Sequence, residues 1–487
     1  MNEHMRTKRM LKSVSAAYLV AATVILIFLI LFAGKATVGD SDVNDLVIYI
    51  SFLIIGGVSF FFLTASVLQH GISLFIIHWF FVLMFFCIVP LKQYLTKLYL
   101  YPVDYFSVFV GNVYILAWCV VYGFFWQYSA HKGELPKFLS SFLTVKQKLL
   151  IFIKTKLYLL TLMCAVVTFY FVSLAGPEPF LLRAAYGHFI EQLGGWHPFG
   201  LLITYYVKPL LFCALIVFWW VVYKGLLRPT LTTYLLICLL LGINLLINNP
   251  LNSARFYAFM TLFGILVLFS SRRQKPSRSL FYVGVLFFGL FVAKTIDQIT
   301  RYLVLWRLSH SWSLFNVGDF DAHENFIHTI QYVNESGITY GKQLLGALLF
   351  WLPRTFWLHK PFGSGHLLAT EYLSKFGAEN SNISSPLIAE MYLNFHIFGI
   401  LIGAAIFGVI TGWLDRRWFS CFALGKYDPA DIGVNVKVDF FYLLYPFLLG
   451  LYLFQLRGAF MSSFAYTCGF VLAFVTVIKI MKLNLKL

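Results

Sequence analysis

The chain has 487 residues, 60% of them hydrophobic, and a mean hydropathy of +0.80. That balance excludes a soluble globular protein of this size. The net charge of +17 invites a nucleic-acid partner, but the basic residues stand in short blocks between apolar runs, where membrane proteins carry them. The partner that the composition implies is a lipid bilayer, not a nucleic acid.

Apolar runs of about 18 residues or more recur along the chain, each long enough to cross about 30 Å of hydrocarbon. They predict an all-α polytopic membrane protein with twelve spans, at about 14–33, 46–67, 72–90, 107–127, 157–174, 201–223, 230–248, 255–270, 280–299, 395–413, 440–456 and 460–478. The first run is too long for a signal peptide and lacks a small-residue cleavage site. With both termini cytoplasmic, the cytoplasmic segments collect 23 of the 37 Lys and Arg residues, and the short outside loops hold 6. That asymmetry fixes the orientation. The basic segment Lys132–Lys156 carries Leu135, Phe138, Leu139, Phe142 and Leu143 near helical spacing and is expected to lie on the inner leaflet as an amphipathic helix. Phe180–Leu193 is a similar candidate on the outer face. The seven cysteines form neither a disulfide framework nor a CxxC site.

The organisation is thus a membrane domain over 1–299, a long extracytoplasmic loop over 300–394, and a second membrane domain over 395–487. A loop of that length is expected to have structure or function of its own. Asp321-Ala-His-Glu324 has capping-box spacing and is followed by Phe326, Ile327, Ile330 and Val333 as an apolar face. Leu344–Leu352 is apolar but too short to span, so it rests at the interface or re-enters. Pro353 and Pro361 bracket an extended piece, and Leu367–Phe376 reads as a short helix.

The chemistry-bearing residues concentrate in and beside this loop, and each admits two readings. Asp319 and Asp321 form a DxD pair that could hold a divalent cation, or Asp321 caps the helix that follows. Arg354 and Lys360 flank an aromatic, Pro-bounded stretch that suits a lipid diphosphate, or they snorkel beside Trp351 and Trp357. Arg255 opens a span after Asn248-Asn-Pro, as a helix-end anchor or a functional cation. Arg457 is the one charged residue on the last hairpin. Glu390 and Asn394 stand four residues apart on one helical face. Glu390 could act as a general base or pair with Arg255 or Arg457. His323, His328, His359 and His366 also lie in the loop, and Lys208, Lys294 and Asp297 form a candidate ion pair within spans. Together these residues describe a basic, aromatic, acid-containing site where a leaflet meets solvent.

The order and spacing of several pieces resemble the Wzy-type oligosaccharide repeat-unit polymerases of bacteria. The pieces are Asn249-Pro250 with Arg255 at a span start, Phe320-Asp321 opening a helix, Tyr340-Gly341, Pro353-Arg354 with Trp357 and Lys360-Pro361, Asn380 to Ser385 leading into Ala389-Glu390-Met-Tyr-Leu-Asn394, and Arg457-Gly458. The resemblance covers the second half of the chain. It departs at His396, where the family often has Gly after Asn-Phe. It implies a GT-C-like fold and transfer of a growing glycan from undecaprenyl diphosphate to the non-reducing end of a fresh lipid-linked repeat unit, outside a bacterial inner membrane. It also implies a chain-length regulator as partner, and neither a metal nor another cofactor. In that scheme Arg255, Arg354, Lys360 and Arg457 bind diphosphate and stabilise the leaving group, and Asp321 or Glu390 takes the acceptor's proton. Asn382, Asn394, His323 and Tyr340 are the candidate sugar contacts. The rival expectations are an O-antigen-type ligase, which shares the lipid chemistry, and a flippase of lipid-linked sugars.

Overall fold

The computed structural model describes residues 41–69, 71–132, 144–146, 153–176, 178–181, 198–223, 229–249, 253–270, 278–289, 320–379, 382–423 and 437–482, with isolated positions between them. The predicted first span, Asp319, Lys294 and Asp297 lie outside these residues. The described chain is helical: α1 (Ser41–Gln69), α2 (Leu74–Thr96), α3 (Tyr105–Lys132), α4 (Ile153–Ala175), α5 (Gly200–Tyr223), α6 (Leu231–Ile247), α7 (Arg255–Ser270), α8 (Arg278–Gly289), α9 (Ala322–Ser336), α10 (Lys342–Leu348), the irregular α11 (364–376), α12 (Leu387–Ala423), α13 (Phe441–Arg457) and α14 (Phe460–Lys482). Seven of these helices, α1 to α5, α12 and α14, are long and apolar enough to cross a membrane. The chain is therefore a multi-pass membrane protein. Over the described residues, the helices at the predicted spans 230–248, 255–270, 280–299 and 440–456 are shorter, 17 residues or fewer, or at most about 25 Å of helix; residues 290–299 lie outside the described residues.

One expectation fails at Lys132–Lys156. Thr144–Lys146 is a strand (β1) that pairs antiparallel with Lys437–Asp439 (β2), so a continuous amphipathic helix does not run through it. The rest of that segment up to Ile153 is outside the described residues.

Prolines set the irregular turns. Pro90 and Pro209 each sit two residues beyond a π turn, Met84–Ile88 in α2 and Ile203–Val207 in α5. Widening the turn relieves the clash of a proline ring with the carbonyl four residues back. For Pro209 that carbonyl belongs to Tyr205, and it packs against Gly469 of α14 so closely that a Cβ there would stand 1.7 Å away. Glycine also sets the tightest helix pair: Gly408 and Gly412 of α12 lie on the carbonyls of Tyr122 and Trp126 in α3, where a Cβ would be at 2.6 and 2.5 Å. This small-xxx-small spacing lets membrane helices approach backbone to backbone.

The predicted tenth span, 395–413, is longer at both ends. Its helix, α12, begins at Leu387 and is broken at Phe395 and His396, where His396 takes φ 55° and ψ −146°. The break brings Gly399 against the carbonyl of Met391, where a Cβ would stand 2.0 Å away. It also lets the turns carrying Glu390 and Asn394 point differently from the rest of α12. A non-glycine residue rarely adopts such dihedrals, at a cost of about 1–3 kcal/mol. His396 is held there by a 2.9 Å hydrogen bond between its Nε2 and the Tyr392 hydroxyl. Replacing His396 by Gly is expected to change stability by less than about 1 kcal/mol, the lost bond offsetting the relieved strain, whereas Val costs about 2 kcal/mol or more. Apparent melting temperatures in detergent check both.

Candidate functional site

The pieces converge on the hairpin Arg457–Phe460 between α13 and α14. Asp321 precedes α9, and from the sequence its carboxylate is a candidate cap. It makes no capping bond to the helix it begins. Its Oδ1 instead accepts a 3.2 Å bond from the Arg457 guanidinium and a 2.5 Å bond from the Ser384 hydroxyl. The capping box is corrected too: Glu324 accepts from the Tyr101 main-chain N–H at 2.9 Å and lies 3.6 Å from His328. The physical reason is burial. Asp321 and Arg457 are both about nine-tenths buried, and a buried ion requires a counter-charge more than a helix end requires a cap. Burial pushes the Asp321 carboxyl above the usual carboxylate range, while Arg457, Ser384 and Asn325 restrain that rise. Arg457 also lies over the ring of Phe256, 5.0 Å from its centroid. Phe256 adjoins Arg255, so α7 starts beside the site; the Arg255 side chain is outside the described residues.

Three residues beyond Arg457, the main-chain N–H of Phe460 donates to Glu390. Glu390 is 1% exposed and also accepts a short hydrogen bond from the Ser364 hydroxyl. Among the described residues no Lys or Arg pairs with it, and Arg457 is committed to Asp321. Ser364 comes this close because its loop is made of small residues. The main chain at Gly365 lies against the carbonyl of Ile383, where a Cβ would be at 2.0 Å. Ser364 and Ser384 thus hold the two carboxylates from one interlocked pair of segments. Neither serine stands out by residue type; the signal in the sequence is Gly363-Ser364-Gly365, a run without bulk beside an acid-bearing helix.

The other candidates fall elsewhere. Asn394 is fully buried, donates to the Glu390 carbonyl at 2.8 Å, and accepts from Thr339 and the Leu344 N–H at 3.0 and 3.1 Å. It ties the turn before α10 to α12. His323 is buried and shares a 2.9 Å hydrogen bond with Asn112 of α3. Burial pushes its imidazole down to about 3, so it is neutral. Asn382 and Tyr340 are exposed, Tyr340 in a positive-φ turn.

Arg354 and Lys360 turn inward. Arg354 donates to the carbonyls of Lys360 and Pro361 at 2.5 and 3.2 Å and covers the Phe362 ring at 3.9 Å. The Lys360 ammonium donates to the carbonyls of Phe350 and Leu352 at 2.7 and 2.8 Å. Burial, with Arg354 nearby, pushes Lys360 down to about 8. These bonds staple the loop. Replacing Lys360 by Met leaves two carbonyls unpaired, a loss of about 1–2 kcal/mol of local stability. Trypsin is therefore expected to cut after Arg354 about tenfold faster in that variant.

Among the described residues no group of three His, Cys, Asp or Glu side chains is arranged to hold a metal ion. Compared with known protein families, curated proteins and solved structures, the chain gives no match.

Proposed function

We propose that the protein is a GT-C-like membrane glycosyltransferase with about twelve spans, in a bacterial inner membrane with both termini cytoplasmic and its site facing outward. It polymerises lipid-linked oligosaccharide repeat units, moving the growing glycan from undecaprenyl diphosphate onto the non-reducing end of a new lipid-linked unit. The observation that supports this reading is the convergence of Asp321, Glu390 and Arg457, from three separated pieces of the resemblance, on one hairpin at the ends of α12, α13 and α14.

In this reading Glu390 is the general base. The Ser364 hydroxyl marks the position from which an acceptor hydroxyl would donate its proton to the carboxylate. As that proton moves, the acceptor oxygen bonds to the anomeric carbon and the bond from that carbon to the diphosphate oxygen breaks. The departing diphosphate carries the negative charge that Arg457, at the hairpin, is placed to meet. Asp321 and Phe256 orient Arg457, and Arg354 and Lys360 shape the loop beside it.

The test uses the protein in nanodiscs with undecaprenyl-diphosphate-linked repeat units, with and without EDTA. A ladder of glycan lengths that survives EDTA is expected. A single transfer to a different acceptor would assign the ligase, and translocation without bond formation the flippase.

A further inference from the structure

We infer that the segment from Tyr340 to Phe362 lies in the headgroup–acyl boundary of the membrane, as a lipid-embedded shelf beside the site. Its apolar side chains face outward: Trp351, Phe356 and Leu358 are 60%, 82% and 79% exposed, and Tyr340, Leu345 and Leu348 are exposed as well. Scattered exposed apolar residues need no explanation, but a contiguous set on one short stretch marks an interaction surface.

The position of the stretch identifies what covers it. Its start, Gly341, packs against the ring of Phe395 at the break in α12. One turn further along α12, Phe398, Ile402 and Ile406 form an exposed apolar stripe on a membrane-crossing helix. Midway along it Phe350 meets Tyr205 of α5 and Phe464 of α14, with ring centroids 6.0 and 6.2 Å away. Gly346 packs on Pro361 and Met461. Tyr205, Met461 and Phe464 belong to the first two turns of their spans. The segment thus continues the bilayer-facing surface of three spans at the level where they begin.

Charge agrees with this occupant. From Gly337 to Thr370 the chain has Lys342, Arg354 and Lys360 and no Asp or Glu. An acid-free, aromatic stretch suits a layer of lipid phosphates over acyl chains. The inward bonds of Arg354 and Lys360 make it a stiff shelf: they close the carbonyls of Phe350, Leu352, Lys360 and Pro361, which would otherwise be costly to place near hydrocarbon.

The experiment is a depth measurement on the full chain in phosphatidylethanolamine–phosphatidylglycerol nanodiscs, with Cys238 and Cys421 replaced by Ala. A nitroxide is attached at Phe356→Cys, Leu358→Cys and, as a reference, Lys375→Cys, all exposed positions where a label leaves packing intact. The ratio of collisions with oxygen to collisions with a nickel chelate is expected to be several-fold higher at 356 and 358 than at 375. Equal ratios at the three positions would show a shelf standing in water and overturn the inference. A second measurement needs no nitroxide: the emission that Phe356→Trp adds to that of the parent's 12 tryptophans should fall several-fold more in discs of brominated lipid than the emission that Lys375→Trp adds, and equal falls would count against the inference. Neither readout depends on catalysis, so the inference stands or falls apart from the proposed reaction.

Discussion

Replacing Asp415 by alanine is expected to destabilise the helix bundle by about 3–5 kcal/mol, more than any other single change outside the site. Asp415 lies in α12 with no exposed surface, at the far end of that helix from Glu390. Its Oδ1 accepts the Leu74 N–H at 2.9 Å and a short bond from the Tyr445 hydroxyl; its Oδ2 accepts the Phe75 N–H at 3.0 Å and the Trp126 indole N–H at 2.9 Å. Leu74 and Phe75 open α2, and Ser73 takes the N–H of Ile76, so the unpaired amides of that helix start are shared between its own cap and a carboxylate from another span. The positive end of the helix dipole adds to the attraction. Alanine leaves the buried Phe75 N–H and Trp126 indole N–H without their acceptor, and each orphaned donor costs about 1–3 kcal/mol. Asparagine keeps one acceptor oxygen but turns an NH2 group toward donors, so it should lose about half as much. Thermal midpoints of the purified proteins in one detergent give the order wild type, Asn, Ala. An Ala variant as stable as the wild type would show that α2 does not depend on this cap.

The multi-pass, helical character was legible, and seven of the predicted spans coincide with helices long and apolar enough to cross, because the membrane imposes a length: a run of apolar residues long enough to cross is visible without knowing its neighbours. The break at Phe395 and His396 was not, because apolar side chains flank it and a histidine, unlike a glycine, does not by its type announce a positive φ. Glu390 was legible as a buried acid on a helix face. Its partner was not, since a serine hydroxyl 26 residues earlier carries no charge pattern to match. Arg354 and Lys360 show the converse. Their spacing proposes an anion between them, but the acceptors they meet are main-chain carbonyls, whose directions depend on turns that residue types do not specify. For Asp321 the sequence offers a cation pair with Asp319 or a local cap, both decided by residues within one turn. The residue that claims it, Arg457, lies 136 positions away, and burial makes that long-range pair the stronger demand.

The Asp321–Arg457 pair carries the second large effect, and a double-mutant cycle separates its scaffold role from its chemistry. Arg457→Met alone leaves a buried carboxylate without its counter-charge, and Asp321→Leu alone leaves a buried guanidinium, each expected to cost about 3–5 kcal/mol. The double variant is expected to cost less than either, because two apolar side chains fill the space with no ion to desolvate. The pH dependence has a defined sign. Asp321 already has a carboxyl raised above its ordinary 3.8 by burial, and Arg457 is the first of the groups opposing that rise. Without Arg457 the folded-state value rises further. A raised acid is fully accommodated while protonated and penalises the fold as pH climbs from the unfolded value through the folded one. The stability deficit of Arg457→Met should therefore be small near about pH 4 and grow toward about pH 8. Activity follows a different rule. If Arg457 meets the departing diphosphate, the double variant regains stability and makes no glycan ladder, and Arg457→Lys keeps charge but loses the fork that holds Asp321 and the substrate together. A double variant that recovers both stability and the ladder would make the pair a structural strut, and the charge on the leaving group would have to be met elsewhere at the start of α7.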